Sequence, residues 1–414
     1  MFQNLDSSPR KAWIAGLTSL VFLTAPAHAA SFSTMVGNPD PLGLGSFVPA
    51  TPAFMGLGGQ QVFKGELSYG IGLKSTYDSN FFLTAHDPKN EFYMFLTPWL
   101  RYISDPEGGA DVSLAADYTP AFRFYDKNSN LDGMDNSGDV TFTMRGARSE
   151  VSVFGRYSEV SGTDYLTGSY VNGSVFTGGI RATHQIAPRT TLNAGWSAAI
   201  SDYGSSTTNV GSNVYTTYLG AFWQATERIS LGPTLRYTTS ESGNTGTRDA
   251  WALLAQARYQ VGEKLWLSAA LGPEYSTNSG TGGGNSVGLT GELNARYIIN
   301  ERWSWNSTIR SATVPSPDQK NYLVNDVTVS SSVQRQLLRG WIGCGFDYDY
   351  SGYENVGTTG TSPGTNQNMG IFLDYGRNLF HDRMAMDTQL RYSFNDGATN
   401  WTQLVLTLNL NVAF

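Results

Sequence analysis

From about residue 65 onward, apolar and polar positions alternate with a period of two in segments of roughly 11 to 15 residues. Leu404-Val405-Leu406-Thr407-Leu408-Asn409-Leu410-Asn411-Val412-Ala413-Phe414 shows the rule plainly, with apolar residues at the even positions and mostly polar ones between them. Such a strand has one face for lipid and one for water. Its last residue, Phe414, is the usual aromatic ending of a bacterial outer-membrane barrel and is expected to act as the assembly signal. Read backwards from it, eighteen strands are predicted, at about 65–77, 91–103, 110–125, 137–147, 150–161, 174–186, 190–203, 213–226, 229–242, 248–261, 265–277, 286–299, 303–315, 323–337, 341–353, 366–380, 384–396 and 400–414. Sixteen follow if the first pair is not part of the barrel.

The links alternate between short and long. Ala147-Arg148-Ser149, Ala187-Pro188-Arg189, Gly262-Glu263-Lys264 and Leu338-Arg339-Gly340 are tight, whereas stretches such as Gly162 to Gly173 and Glu354 to Thr365 are rich in Gly, Ser, Asn and Thr. Short periplasmic turns and longer outer loops are what a transmembrane antiparallel up-and-down β-barrel requires. Pro98, Pro120, Pro233 and Pro273 fall inside predicted strands, where the missing N–H predicts bulges or local breaks.

Period two also assigns faces. Met384, Met386, Leu390, Tyr392 and Phe394 point to lipid, and Asp387, Gln389, Arg391 and Ser393 to the lumen. Trp266, Trp303 and Trp341, where strands leave short turns, and Tyr102, Tyr259 and Tyr297, where strands approach them, read as the periplasmic aromatic girdle. A repeated Arg-Tyr pair sends tyrosine to lipid and arginine inward. The predicted lumen wall therefore includes Arg101, Arg123, Arg156, Arg236, Arg258, Arg296, Arg310 and Arg391, with Asp117, Glu292 and Asp387 among the carboxylates. Rings of arginine bias a pore toward anions or hold acidic sugars, and Arg101, Arg258 and Arg296 are the candidates for a periplasmic entrance ring. A charge ladder that stiffens and solvates the wall is the alternative.

Composition narrows the class. With 46 Gly, 22 Tyr, 21 Phe and 10 Trp but only 15% charged residues, the chain is rich in strand and turn formers. Cys344 is the single cysteine, so an internal disulfide and a cysteine metal cluster are excluded, and it is expected to be a small packed residue. Residues 1–29 read as a signal peptide, with Arg10 and Lys11 ahead of an apolar stretch and Ala27-His28-Ala29 as the cleavage site. Its removal takes the formal net charge from -7 to -8, which argues against nucleic acid as a partner. Residues 30–64, with Pro39, Pro41, Pro49 and Pro52, form either a periplasmic segment or a lumen plug, and 65–414 form the barrel. The expected location is the outer membrane of a Gram-negative bacterium, with outer-membrane lipid and the barrel-assembly machinery as partners.

Candidate chemistry changes this picture little. In the loop after the third predicted strand, Asn128, Asn130, Asp132 and Asp139 fall at positions 1, 3, 5 and 12 of a calcium loop, with Gly133 at position 6. That pattern is partial and would give at most a weak structural calcium site; an ordinary polar loop is the alternative. No other cofactor is expected, and His86, His184 and His381 stand apart in a chain without an H-E-x-x-H or G-x-S-x-G motif, so no enzyme is expected.

The run Tyr77-Asp78-Ser79-Asn80-Phe81-Phe82, after Gly70-Ile71-Gly72-Leu73, resembles the end of the first strand in the porin-2 type family of outer-membrane β-barrels, often encoded in exopolysaccharide operons. Ser79 and Phe81 depart from that family's Tyr-Asp-Asp-Asn-Ile-Phe-like run. The resemblance implies a channel for exopolysaccharide export, with polysaccharide cargo and periplasmic export proteins as partners. Residue chemistry alone leaves open a general or anion- or sugar-selective diffusion porin, and a closed structural or surface barrel acting through its loops.

Overall fold

The computed structural model describes residues 60–62, 65–105, 110–163, 170–203, 211–242, 247–279, 284–315, 322–355, 364–380, 383–397 and 400–414. The expected signal peptide and residues 30–59, 63 and 64 lie outside them. Nineteen strands run in chain order. A three-residue β1 (Gln60–Val62) precedes β2 (Gly65–Asp78), β3 (Glu91–Ile103), β4 (Val112–Tyr125), β5 (Gly133–Arg145), β6 (Ser149–Thr163) and β7 (Tyr170–Ala187). Then come β8 (Thr190–Asp202), β9 (Ser212–Thr226), β10 (Ile229–Ser242), β11 (Thr247–Val261), β12 (Leu265–Ser279) and β13 (Asn285–Asn300). The last six are β14 (Trp303–Pro315), β15 (Tyr322–Leu337), β16 (Gly340–Asn355), β17 (Thr365–Leu379), β18 (Met384–Asp396) and β19 (Trp401–Ala413). Each of β2 to β19 pairs antiparallel with its sequence neighbours, and β19 pairs with β2, from Val405 opposite Asp78 to Ala413 opposite Gly70. These eighteen strands form a closed antiparallel barrel.

Closure follows from the medium. Lipid offers a backbone no hydrogen-bond partner, so every strand edge must be paired and only a closed sheet removes its edges. β19 stops pairing at Gly70, and β1 takes over the vacated edge, with Gln60 opposite Leu67 and Val62 opposite Gly65. Phe414 completes the rung, its N–H donating to Tyr69 O at 3.0 Å and its ring stacking on Tyr69 at 6.1 Å.

Large apolar side chains such as Leu219, Leu235, Leu253, Leu271, Leu373 and Leu406 form an exposed band on the outer face. The alternate positions, among them Thr234, Gln256, Ser276, Asp374 and Thr407, are buried toward the lumen. Three sequence expectations change. Trp266 and Trp341 turn inward, because each shares its parity with a lumen carboxylate of its own strand, Glu274 and Asp347; only Trp303 of the three joins the girdle, with Tyr102, Tyr259 and Tyr297. Cys344 is exposed on the lipid face beside Phe346 rather than packed. The four prolines cause no bulge. At Pro98, Pro233 and Pro273 one ladder skips a few rungs while the other continues in register, since proline lacks a donor on one side only. The irregularities sit instead beside short turns, at Gln185/Ala187, Ile229/Ser230 and Ile298/Asn300.

Candidate functional site: the lumen wall and its outer mouth

The run that carries the family resemblance ends β2 at the barrel's closing seam. Asp78 Oδ1 accepts from Asn80 N at 2.9 Å, and Asp78 Oδ2 accepts from Gln403 Nε2 at 2.8 Å. Ser79 and Leu404 exchange two bonds, Ser79 N to Leu404 O at 3.0 Å and Leu404 N to Ser79 Oγ at 2.7 Å. Asn80 is 2% exposed and bridges both sides: its Nδ2 donates to Thr402 O and Thr84 O, both at 3.0 Å, and its Oδ1 accepts from Thr84 N at 3.0 Å. The motif is a clamp on the seam.

From that clamp the link 79–90 folds inward. Phe81 packs edge-on against Tyr93 and Tyr125, with centroids 5.7 and 5.5 Å away, and approaches Tyr170. Leu83 packs on Trp401 and holds a left-handed backbone (φ 51°), unusual for a leucine, with its N–H on Asn80 O. An aromatic cluster of Phe81, Tyr93, Phe95 and Tyr125 thus lines one side of the outer mouth.

Below it the wall is a network of ion pairs. Glu274 on β12 takes Arg236 Nη2 of β10 at 2.9 Å on one oxygen and Arg248 Nη2 of β11 at 2.6 Å on the other. Arg236 also donates to Thr290 Oγ1 at 2.9 Å. Arg391 on β18 reaches Asp347 on β16 at 2.6 Å. Both long pairs cross an intervening strand at a small residue. Ala252 stands in register with both Arg236 and Glu274, and Gly370 stands opposite Asp347. Alternate strands are roughly 9.6 Å apart, a span an arginine covers only when nothing stands between. A Cβ on Gly370 would lie 2.3 Å from Arg391 Nη2 and 2.9 Å from Asp347 Oδ2. Gly370→Ala is therefore expected to displace this pair and lower stability by about 1–3 kcal/mol, measured by urea unfolding of the barrel in vesicles.

On the other side Arg101, Asp117, Asp139 and Arg156 stand in register across β3 to β6, with Arg101 Nε 3.5 Å from Asp117. Arg123 lies 3.4 Å from Asp135 and donates to Tyr170 OH at 2.9 Å. Glu292 and Arg310 are register partners, and Asp387 accepts from Asn409 Nδ2 at 2.6 Å. Arg258 and Arg296 lie over Phe222 and Trp266, at 4.8 and 5.6 Å.

The three candidates for the entrance ring are unevenly spaced around the barrel. Arg258 and Arg296 share one arc on β11 and β13, but Arg101 stands on β3, eight strands from β11 around the barrel, and pairs with Asp117. The calcium pattern fails to converge. Asp139 lies six residues into β5, roughly 20 Å along an extended strand from Gly133. Asn128 turns its Nδ2 to Glu91 Oε2, and Asp132 Oδ1 accepts from Tyr125 N at 2.7 Å, so these groups hold the loop itself. Glu91, Asp135, Asp326 and Asp349 were not singled out in the sequence, although strand parity alone marks them as inward.

Charge on the wall is segregated. From β7 to β14 the inward cations are Arg181, Arg236, Arg248, Arg258, Arg296 and Arg310, against Glu274 and Glu292. From β15 to β18 the inward acids are Asp326, Asp347, Asp349, Asp374 and Asp387, against Arg391 alone. One arc is net positive and the next net negative.

A closed eighteen-stranded barrel with an apolar outer band and a charged inner wall is an outer-membrane β-barrel of Gram-negative bacteria. No family model and no curated protein matches the chain. Among solved structures it is similar to the outer membrane protein OpdK of Pseudomonas aeruginosa, with 13% identity, coverage of 84% of this chain and 99% of that one, and a TM-score of 0.46. It is also similar to OccK2 (OpdF) of the same organism, at 12% identity, 86% and 99% coverage and a TM-score of 0.48. OpdQ, again from that organism, shows 10% identity, 84% and 98% coverage and a TM-score of 0.45.

Proposed function

We propose that this protein is a passive diffusion channel for small polar solutes, whose lumen orients permeants that carry a dipole or both signs of charge. The observation that carries this reading is the charge segregation, a net positive arc on β7 to β14 beside a net negative arc on β15 to β18. Eighteen strands enclose enough space for an aqueous channel. Opposed arcs set up a field across the pore, and a permeant with separated charges turns to match it. The inward arginines and carboxylates of β7 to β18 balance in number, which favours this reading over a lumen that selects anions throughout. The family-like run Tyr77–Phe82 works in the seam, so it speaks for barrel closure rather than for polysaccharide cargo.

The test is single-channel recording in a planar bilayer. The wild type is expected to conduct steadily, and Arg258→Gln/Arg296→Gln to shift permeability toward cations. A unit charge about 10 Å from an ion is worth about 0.4 kcal/mol in water, favourable for an anion and unfavourable for a cation, so each charge shifts the anion-to-cation ratio roughly fourfold and two shift it at most about sixteenfold before salt screening. A wild-type barrel that does not conduct sinks the channel reading, and an unchanged ratio sinks the role of the arcs. A deletion strain that loses exopolysaccharide secretion but no solute uptake would return the function to export.

A further inference from the structure

Of the arginines and lysines within the strands, all but two point into the lumen. The exceptions are Arg335 on β15 and Arg377 on β17, which share the outer face with Val333 and Tyr375. They stand close together on the short-turn rim, because β16 alone separates their strands: Arg335 is in register with Ile342, Ile342 with Tyr375, and Arg377 with Gly340. The turns beside them add Arg302 and Arg339, and backbone bonds lock those turns against the neighbouring strands, Gln336 N to Arg302 O at 2.6 Å and Asn378 N to Arg339 O at 2.9 Å. The four arginines rim a groove of about 660 Å³ whose walls include Leu337 and Tyr375. All four are exposed, and among the described residues none is in an ion pair. Arg335 is steadied by lying 5.4 Å over the Trp303 ring.

We infer that this groove is a binding site for an anionic glycerophospholipid of the periplasmic leaflet. Its position supplies the argument: lipid-facing charge is costly at mid-membrane, but at the rim guanidinium groups sit at headgroup depth above an apolar wall. Arginine forks match phosphate oxygens in pairs, and four unneutralised guanidinium groups complement a net negative headgroup, not a zwitterionic one. The acyl chain lies along Leu337 and Tyr375, which a free anion would not need.

The test uses the full-length barrel in detergent micelles containing equal phosphatidylglycerol and phosphatidylethanolamine, read by native mass spectrometry. Phosphatidylglycerol is expected to stay bound preferentially, with retention reduced about tenfold by Arg335→Gln/Arg377→Gln. Replacing two rim arginines elsewhere, Arg148→Gln/Arg189→Gln, is expected to leave retention unchanged. Heat-modifiable gel migration reports that each variant is folded. If the first variant fails to fold, Arg377→Gln alone is read instead, with about threefold expected. Equal retention of the two lipids, or wild-type retention by the groove variant, overturns the inference. So does displacement by inorganic phosphate at the lipid's own concentration, since the acyl chain would then contribute nothing.

Discussion

Replacing Glu274 by glutamine is expected to lower the stability of the folded barrel by about 3–5 kcal/mol. Its carboxylate is 8% exposed and neutralises two arginines, Arg236 at 14% and Arg248 at 6% exposure, at 2.9 and 2.6 Å. The amide keeps the shape and one acceptor but leaves two positive charges facing each other with little water. Removing one partner of a buried charge group costs more than the group contributes as a whole. The triple variant Arg236→Gln/Arg248→Gln/Glu274→Gln is therefore expected to be more stable than Glu274→Gln alone. Urea unfolding in phospholipid vesicles, followed by tryptophan fluorescence, measures both; a triple variant less stable than the single one would show that the carboxylate matters for shape rather than charge.

The second large effect is expected at the seam. Asn80→Ala removes three hydrogen bonds of 3.0 Å, to Thr402 O, Thr84 O and from Thr84 N, at a site that is 2% exposed. With net losses of about 1 kcal/mol per bond and a further cost for groups left without partners, the expected loss is about 3 kcal/mol. The consequence is also functional. Asn80 ties the link 79–90 to β19, and that link carries Phe81 to the aromatic cluster at the mouth. Asn80→Ala is expected to make single-channel current noisier and Phe81→Ala to raise mean conductance. Wild-type noise and conductance in both would mean that the link does not border the ion path.

Particular residues show how much of this was legible in the sequence. β3, β10, β14 and β18 have the ends that alternation predicts, because each residue must choose between hydrocarbon and water and that choice is written in its chemistry. The inward placement of Arg236, Arg391, Glu292 and Asp387 was legible for the same reason. β5 was not: it begins at Gly133, four residues before the expected 137, because Asp135 and Asn136 read as loop until Arg123 and Glu159 supply their partners. At Trp266 and Trp341 strand parity, shared with Glu274 and Asp347, outranks the preference of tryptophan for the membrane interface.

Alternation along the chain determined the class of fold, the membrane and the facing of the charges, and narrowed the strand count to eighteen or sixteen, since lipid on one side and water on the other act on each residue separately. Which charges meet was decided only by the closed sheet. Arg391 finds Asp347 across β17 because Gly370 leaves the space, Arg101 is kept from Arg258 by eight strands of curvature, and the positive and negative arcs exist only once the strands are placed in a ring. Inter-strand register and barrel curvature bring together residues far apart in the chain, and period two carries no record of either.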